Sequence, residues 1–159
     1  MKLILSGLAT VVIIGIGVVL FTDDAFGFWG QSGGQLLAYE DPEVIALGKA
    51  VYADQCASCH GADLGGQENW RDRGDDGLLP APPHDASGHT WHHPDAQLID
   101  ITTRGTAAVV GRGYQSNMPG YAEILSEDEI KAALAYIKST WPADVIATHN
   151  EINLRYATQ

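Results

Sequence analysis

Cysteine is nearly absent: the 159 residues contain only Cys56 and Cys59, in the stretch CASCH. With no thiols elsewhere, a zinc site built on cysteine would have to borrow at least two further ligands from histidine. Methionine is equally scarce, with only Met1 and Met118. Basic residues number nine against twenty acidic ones, and Lys2 precedes the first apolar run, leaving eight positive side chains for everything after it. Such a surface repels phosphate backbones and anionic headgroups, which excludes nucleic acid as a partner and favours proteins with a basic docking face. No internal repeat and no convincing pair of β-strands can be found. The length suits one small domain with something appended, and therefore one chemical centre.

A charge-free run of nineteen residues, Leu3 to Phe21, is present instead. As a helix it would span about 28 Å at ~1.5 Å per residue, enough to cross a bilayer. It reads as a retained anchor over residues 1–22; the alternative is a signal peptide cut near Ala25-Phe26-Gly27. Lys2 lies on one side and Asp23 and Asp24 on the other, so the positive-inside rule puts the remainder outside the cytoplasm. Residues 23–40 mix Gly, Ser and aromatics without a period and read as a tether, with Phe26, Phe28 and Trp29 at the membrane interface.

A helix is expected from Asp41-Pro42, since Asp suits an N-cap and Pro the first helical position. Val44, Leu47, Gly48 and Val51 would form its apolar face, running up to the cysteines. Gly61 to His93 is rich in Gly, Pro, Asp and His and reads as loop, long enough to suggest that it wraps something. Pro94 to Arg104 can form a short helix ended by Gly105, and Gly111, Gly113 and Gly120 mark another loop. Ser126 to Thr140 carries a capping box, Ser126 with Glu129, and an apolar face of Ile130, Leu134 and Ile137. Residues 143–159 read as a tail or a short docked helix. Helices this few cannot cover so much loop, and a large apolar cofactor would supply the missing core.

CASCH admits three readings. A redox dithiol normally sits in a βαβ setting, for which this chain offers no strands. Zinc would need two ligands from His84, His89, His92 and His93, at spacings that match no known pattern. Covalent haem fits the signature C-x-x-C-H: two thiols one helical turn apart reach the porphyrin vinyl groups, and the adjacent His60 meets the iron. A pure electron carrier then needs a fixed sixth ligand, and Met118 in SNMPG is the candidate; His/Met ligation raises the potential and leaves no open position. A histidine in place of Met118 is the other ligand reading.

CASCH, the Pro-rich loop, MPG and the final helix, in that order over Asp41 to Trp141, make the sequence resemble a class I c-type cytochrome. It is similar further to a bacterial single-haem, membrane-anchored subgroup with NWR, PAPPHD, GHTWHH and MP motifs. The resemblance implies an all-α fold wrapped around one covalent haem c, residues 41–142, behind the N-terminal transmembrane helix. Gly48 and Tyr136 would mark the crossing of first and last helices. Cys56, Cys59, His60 and Met118 would hold haem, with His60 and Met118 axial to iron. The carbonyl of Pro82, or else of Pro80, would accept from the ring of His60, and His84 stands where many members have Leu. Trp70, Arg71, Arg73, Trp91 and Arg104 are candidates for the haem propionates, against the ordinary reading of surface Arg and core Trp. Tyr114 and Asn117 could bond near Met118.

Function follows as an expectation: electron transfer between respiratory or photosynthetic membrane complexes, as tethered carrier or fixed subunit, at the periplasmic side of a bacterial inner membrane. No bond-making residue is required, so the chain is not expected to be an enzyme. Two other classes remain open: a small-molecule haem enzyme with Met118 displaced, and a copper-handling or redox-sensing protein using His84, His89, His92 and His93, against the ordinary reading in which these histidines satisfy backbone groups in a tight loop, cap the helix at Pro94 and pack beside haem.

Overall fold

The structure is a computed structural model and describes residues 35–159. The expected anchor and most of the expected tether lie outside these residues. Every regular element described is helical: α1 Pro42–Gln55, α2 Ala57–His60, α3 Asp95–Arg104, α4 Thr106–Val110, α5 Glu127–Ser139 and α6 Ala143–Ala157, with a 3-10 turn at Thr90–His92. None of them is long and apolar enough to cross a membrane.

Local chemistry sets the ends. Asp41 accepts hydrogen bonds from the amides of Glu43 and Val44 and Pro42 opens α1, while the capping box of α5 forms in both directions, Ser126 with Glu129. Gly105 stops α3 at φ +83°, a left-handed conformation that an L side chain resists. The helix α4 directly after it was not expected from sequence. Five residues of Thr, Ala and Val carry no cap and too short a period to announce a helix.

The crossing of α1 and α5 is the largest contact between elements. It is centred on Gly48, where an added Cβ would stand inside the Ala132 carbonyl and 2.9 Å from the Cβ of Tyr136. Around it lies a core of Leu37, Tyr52, Leu64, Leu98, Ile130, Leu134, Ile137 and Trp141. One expectation needs correcting here. The buried face of α1 is Gly48, Val51 and Tyr52, whereas Leu47 is 45% exposed. Gly48 and Tyr52 meet Tyr136 of α5, Val44 still packs on the core, and Leu47 falls at the solvent edge of this face.

A second centre is polar. Asp95, Lys138 and His149 are each 0% exposed. Asp95 accepts from the amides of Leu36 (2.8 Å) and Leu37 (3.3 Å), while its own amide donates to Asn153. Lys138 donates to Asn150 at 2.7 Å, lies 3.9 Å from Asp95 and stands over the Tyr39 ring. His149 Nε2 is 2.9 Å from the carbonyl of His93 and 3.5 Å from Asp95. Residues 35–39 are thereby stitched to α3, α5 and α6, and Leu37, 1% exposed, belongs to the core. C-terminal residues 143–157 form a helix docked through His149 and Asn153.

Burial, followed by the Lys138 charge, holds the pKa of His149 below its ordinary 6.5. The unfolded chain therefore takes up more protons than the folded one below pH 6.5. Stability contributed by neutral His149 is full above that value and is lost as pH falls towards the lower folded pKa. Denaturant titrations of the His149→Gln variant beside the wild type are expected to show the weaker acid loss in the variant; equal pH slopes would remove His149 from the account.

Candidate functional site

CASCH makes a single turn of helix. The amides of Cys59 and His60 both point to the Cys56 carbonyl, at 3.2 and 3.0 Å, so the two thiols and the imidazole leave one short stretch of backbone. Both cysteines are unpaired, Cys56 half-buried and Cys59 exposed. Burial, then the charge of Cys59, pushes the Cys56 thiol up to about 11. A redox dithiol or a thiolate ligand needs the opposite shift.

His60 is 7% exposed, and its Nδ1 donates to the carbonyl of Pro82 at 2.8 Å. That bond fixes the ring and leaves Nε2 as the nitrogen with the free lone pair. Desolvation lowers the pKa of His60, offset in part by the Pro82 bond, which keeps the imidazole neutral and able to ligate. The Pro82 carbonyl is itself held. Gly66 donates to the carbonyl of His60, Gln67 donates to Ala81 O at 2.9 Å, and Gln67 Oε1 accepts from the Ala81 amide. Tyr52 adds a bond from its hydroxyl to the carbonyl of Gly61.

Met118 stands on the other long loop, half-buried. Gly105 and Gly120 bring that loop onto the end of α3: a Cβ on Gly105 would lie 2.7 Å from the Gly120 amide. Tyr121 and Ala122 donate to the carbonyls of Thr102 and Thr103, and the Tyr121 hydroxyl reaches Gln55 O on α1. The Thr106 hydroxyl points at the Met118 sulfur, 3.3 Å away. Thr106 and Tyr121 were not legible as site residues, because each acts across a turn that only the folded chain closes.

The remaining candidates are dispersed. Arg71 lies over the Trp70 ring at 3.9 Å and Trp70 stacks on His89. Arg73 donates to the Gly77 carbonyl at 2.6 Å, with its guanidinium 5.9 Å from the Tyr114 ring. Trp91 donates to Ala86 O and stacks on His92. Arg104 forms a two-pronged ion pair with Asp100 on the outer face of α3. Its exposure makes that pair worth little to stability. The histidines also part company: His84 stacks on His60, His89 on Trp70, His92 on Trp91, and His93 meets the edge of His89. Among the described residues no three His, Cys, Asp or Glu side chains converge on a point where a metal ion would fit.

The imidazole with a free Nε2, two unpaired thiols on the same turn, and a loop-borne thioether are donors suited to a haem. A family model described as Cytochrome c matches residues 45–141. The chain belongs to the cytochrome c family. Cys56, Cys59 and His60 are accordingly its haem c attachment motif, with the haem covalently bound. Among curated proteins, this cytochrome is 32% identical to the Cbb3-type cytochrome c oxidase subunit FixP of Azorhizobium caulinodans over 104 residues, 63% of this chain and 32% of that one. It is 28% identical to the Cbb3-type cytochrome c oxidase subunit CcoP of Rubrivivax gelatinosus over 114 residues, 71% and 30% respectively. The chain thus spans about a third of the length of these relatives. Cytochrome CL of Methylophaga aminisulfidivorans superposes with a TM-score of 0.51 at 22% identity, over 84% of this chain and 85% of that one, which shows a shared fold.

Proposed function

We propose that this cytochrome is a single-haem electron-transfer module held at the periplasmic face of a bacterial inner membrane by the apolar run Leu3–Phe21. It passes electrons within or beside a respiratory oxidase complex of the cbb3 kind. The observation that carries this reading is His60, buried and held through Nδ1 to the Pro82 carbonyl. Such a ligand holds its place through a change of iron charge, which keeps reorganisation small. The haem supplies a one-electron couple; the chain supplies ligands, orientation and exclusion of water.

Met118 is the sixth ligand in this proposal. The hydroxyl of Thr106 donates to one sulfur lone pair, which orients the other. With both axial positions filled from the chain, no site is left for a small-molecule substrate. The similarity to FixP and CcoP favours a fixed or short-range role over a free shuttle. A net charge of −11 favours a partner with a basic face.

The test uses the full chain purified in mild detergent. One covalent haem per chain, a near-infrared Met-to-iron band, no carbon monoxide binding by the reduced wild type and fast oxidation by a cbb3-type oxidase are expected. Met118→Ala is expected to lose the band, bind carbon monoxide and lower the reduction potential. Rapid carbon monoxide binding by the wild type would overturn the carrier reading in favour of an enzyme.

A further inference from the structure

The imidazole of His84 lies against the proximal ligand: the ring centroids of His84 and His60 are 3.9 Å apart, with the planes inclined by 35°. Its backbone is tied at both ends, the amide to Leu64 O (2.7 Å) and the carbonyl to the indole N–H of Trp141 (2.7 Å). Tyr52 adds an edge-on ring contact to His84 at 6.0 Å. The ring is therefore held with little freedom. Even so, its Nδ1 is buried and has no hydrogen-bond partner among the described residues.

A buried unpaired nitrogen works against stability, and a leucine or phenylalanine would fill the same space without that loss. The imidazole must be explained by what it faces. The Pro82 carbonyl holds Nδ1 of His60, and the flat neighbour at 3.9 Å bounds one face of the ring, so the plane as well as the nitrogen is constrained. Polarity supplies the second effect. The ferric site carries one more positive charge than the ferrous site, and a polar group beside the ligand favours the more charged form relative to an apolar wall.

We infer that His84 is a positioning residue for His60, fixing the plane of the proximal imidazole and setting the reduction potential below the value that an apolar residue would give. This rests on the electron-transfer reading, since it concerns the same iron site. It goes beyond that reading by naming a residue outside the ligand set as a determinant of driving force.

The experiment compares full-length, haem-loaded wild type with His84→Leu and His84→Phe by equilibrium redox titration at one pH, by ferric electron paramagnetic resonance and by thermal melting. Both variants are expected to raise the potential. His84→Leu, which loses the flat face, is also expected to change the ferric g-anisotropy, and His84→Phe to preserve it. Neither is expected to melt below the wild type. Unchanged potentials would overturn the proposal. Should His84→Leu fail to fold, His84→Phe decides alone; should neither take up haem, the role is structural and the proposal falls. A wild type without the Met-to-iron band overturns the Met118 reading separately, because His60 is the proximal ligand in both cases.

Discussion

Gly48→Ala is expected to destabilise the haem domain by about 3 kcal/mol or more, at the upper end for overpacking substitutions. The methyl group would have to occupy the position of the Ala132 carbonyl, and Tyr136 Cβ would stand 2.9 Å away. Backbone cannot swing aside as a side chain can, so α1 and α5 must separate. Separation affects the site as well as the core, because α1 delivers Cys56 to α2 and Tyr52 to His84. For a domain whose whole stability is about 5–15 kcal/mol, such a loss is a large fraction. Guanidinium unfolding of the haem-loaded variant, followed by far-ultraviolet circular dichroism, measures it. A midpoint within error of the wild type would show that the helices can slide past each other at this crossing.

The second large effect is at Asp95. Asp95→Ala removes the acceptor for Leu36 and Leu37 and takes from buried Lys138 its nearest carboxylate, leaving Asn150, the Tyr39 ring and the more distant Glu40 charge among the described residues. Breaking one side of a buried ion pair in this way costs about 3–5 kcal/mol. Burial already holds the pKa of Lys138 low, with the Asp95 and Glu40 charges opposing. Replacing both partners, Asp95→Asn with Lys138→Met, is expected to recover most of the loss, since no charge is then stranded. A double variant no more stable than Asp95→Ala would overturn this account, since Asn keeps an acceptor for the Leu36 and Leu37 amides and no charge is left stranded.

The parts of this molecule that could be read from the sequence are those in which neighbours in the chain act together. Asp41-Pro42, the Ser126 and Glu129 box and the stop at Gly105 are local, and α1, α3 and α5 begin and end where these residues require. C-x-x-C-H is local too, and so was the attachment motif. The Pro82 bond to His60, expected only from resemblance, spans 22 residues and is present at 2.8 Å. Contacts that close across the fold gave no such sign. The stack of His84 on His60, the Trp141 bond to His84 and the meeting of Asp95, Lys138 and His149 join segments more than twenty residues apart. The histidine loop fits the packing reading rather than the metal-ligand one. Four imidazoles within ten positions suggest a ligand set, yet each turns to a different aromatic neighbour once the chain is folded.

The two amide bonds from Leu36 and Leu37 to Asp95 also decide where the chain enters the domain. Its point of attachment lies beside the start of α3, six residues before α1 begins, and not at the tip of α1 itself. The chain therefore joins the domain at a point that the Asp95 carboxylate sets among α3, α5 and α6. Lengthening the chain before residue 35 would then leave the Leu36 and Leu37 bonds to Asp95, and the packing of Leu37 in the core, unchanged.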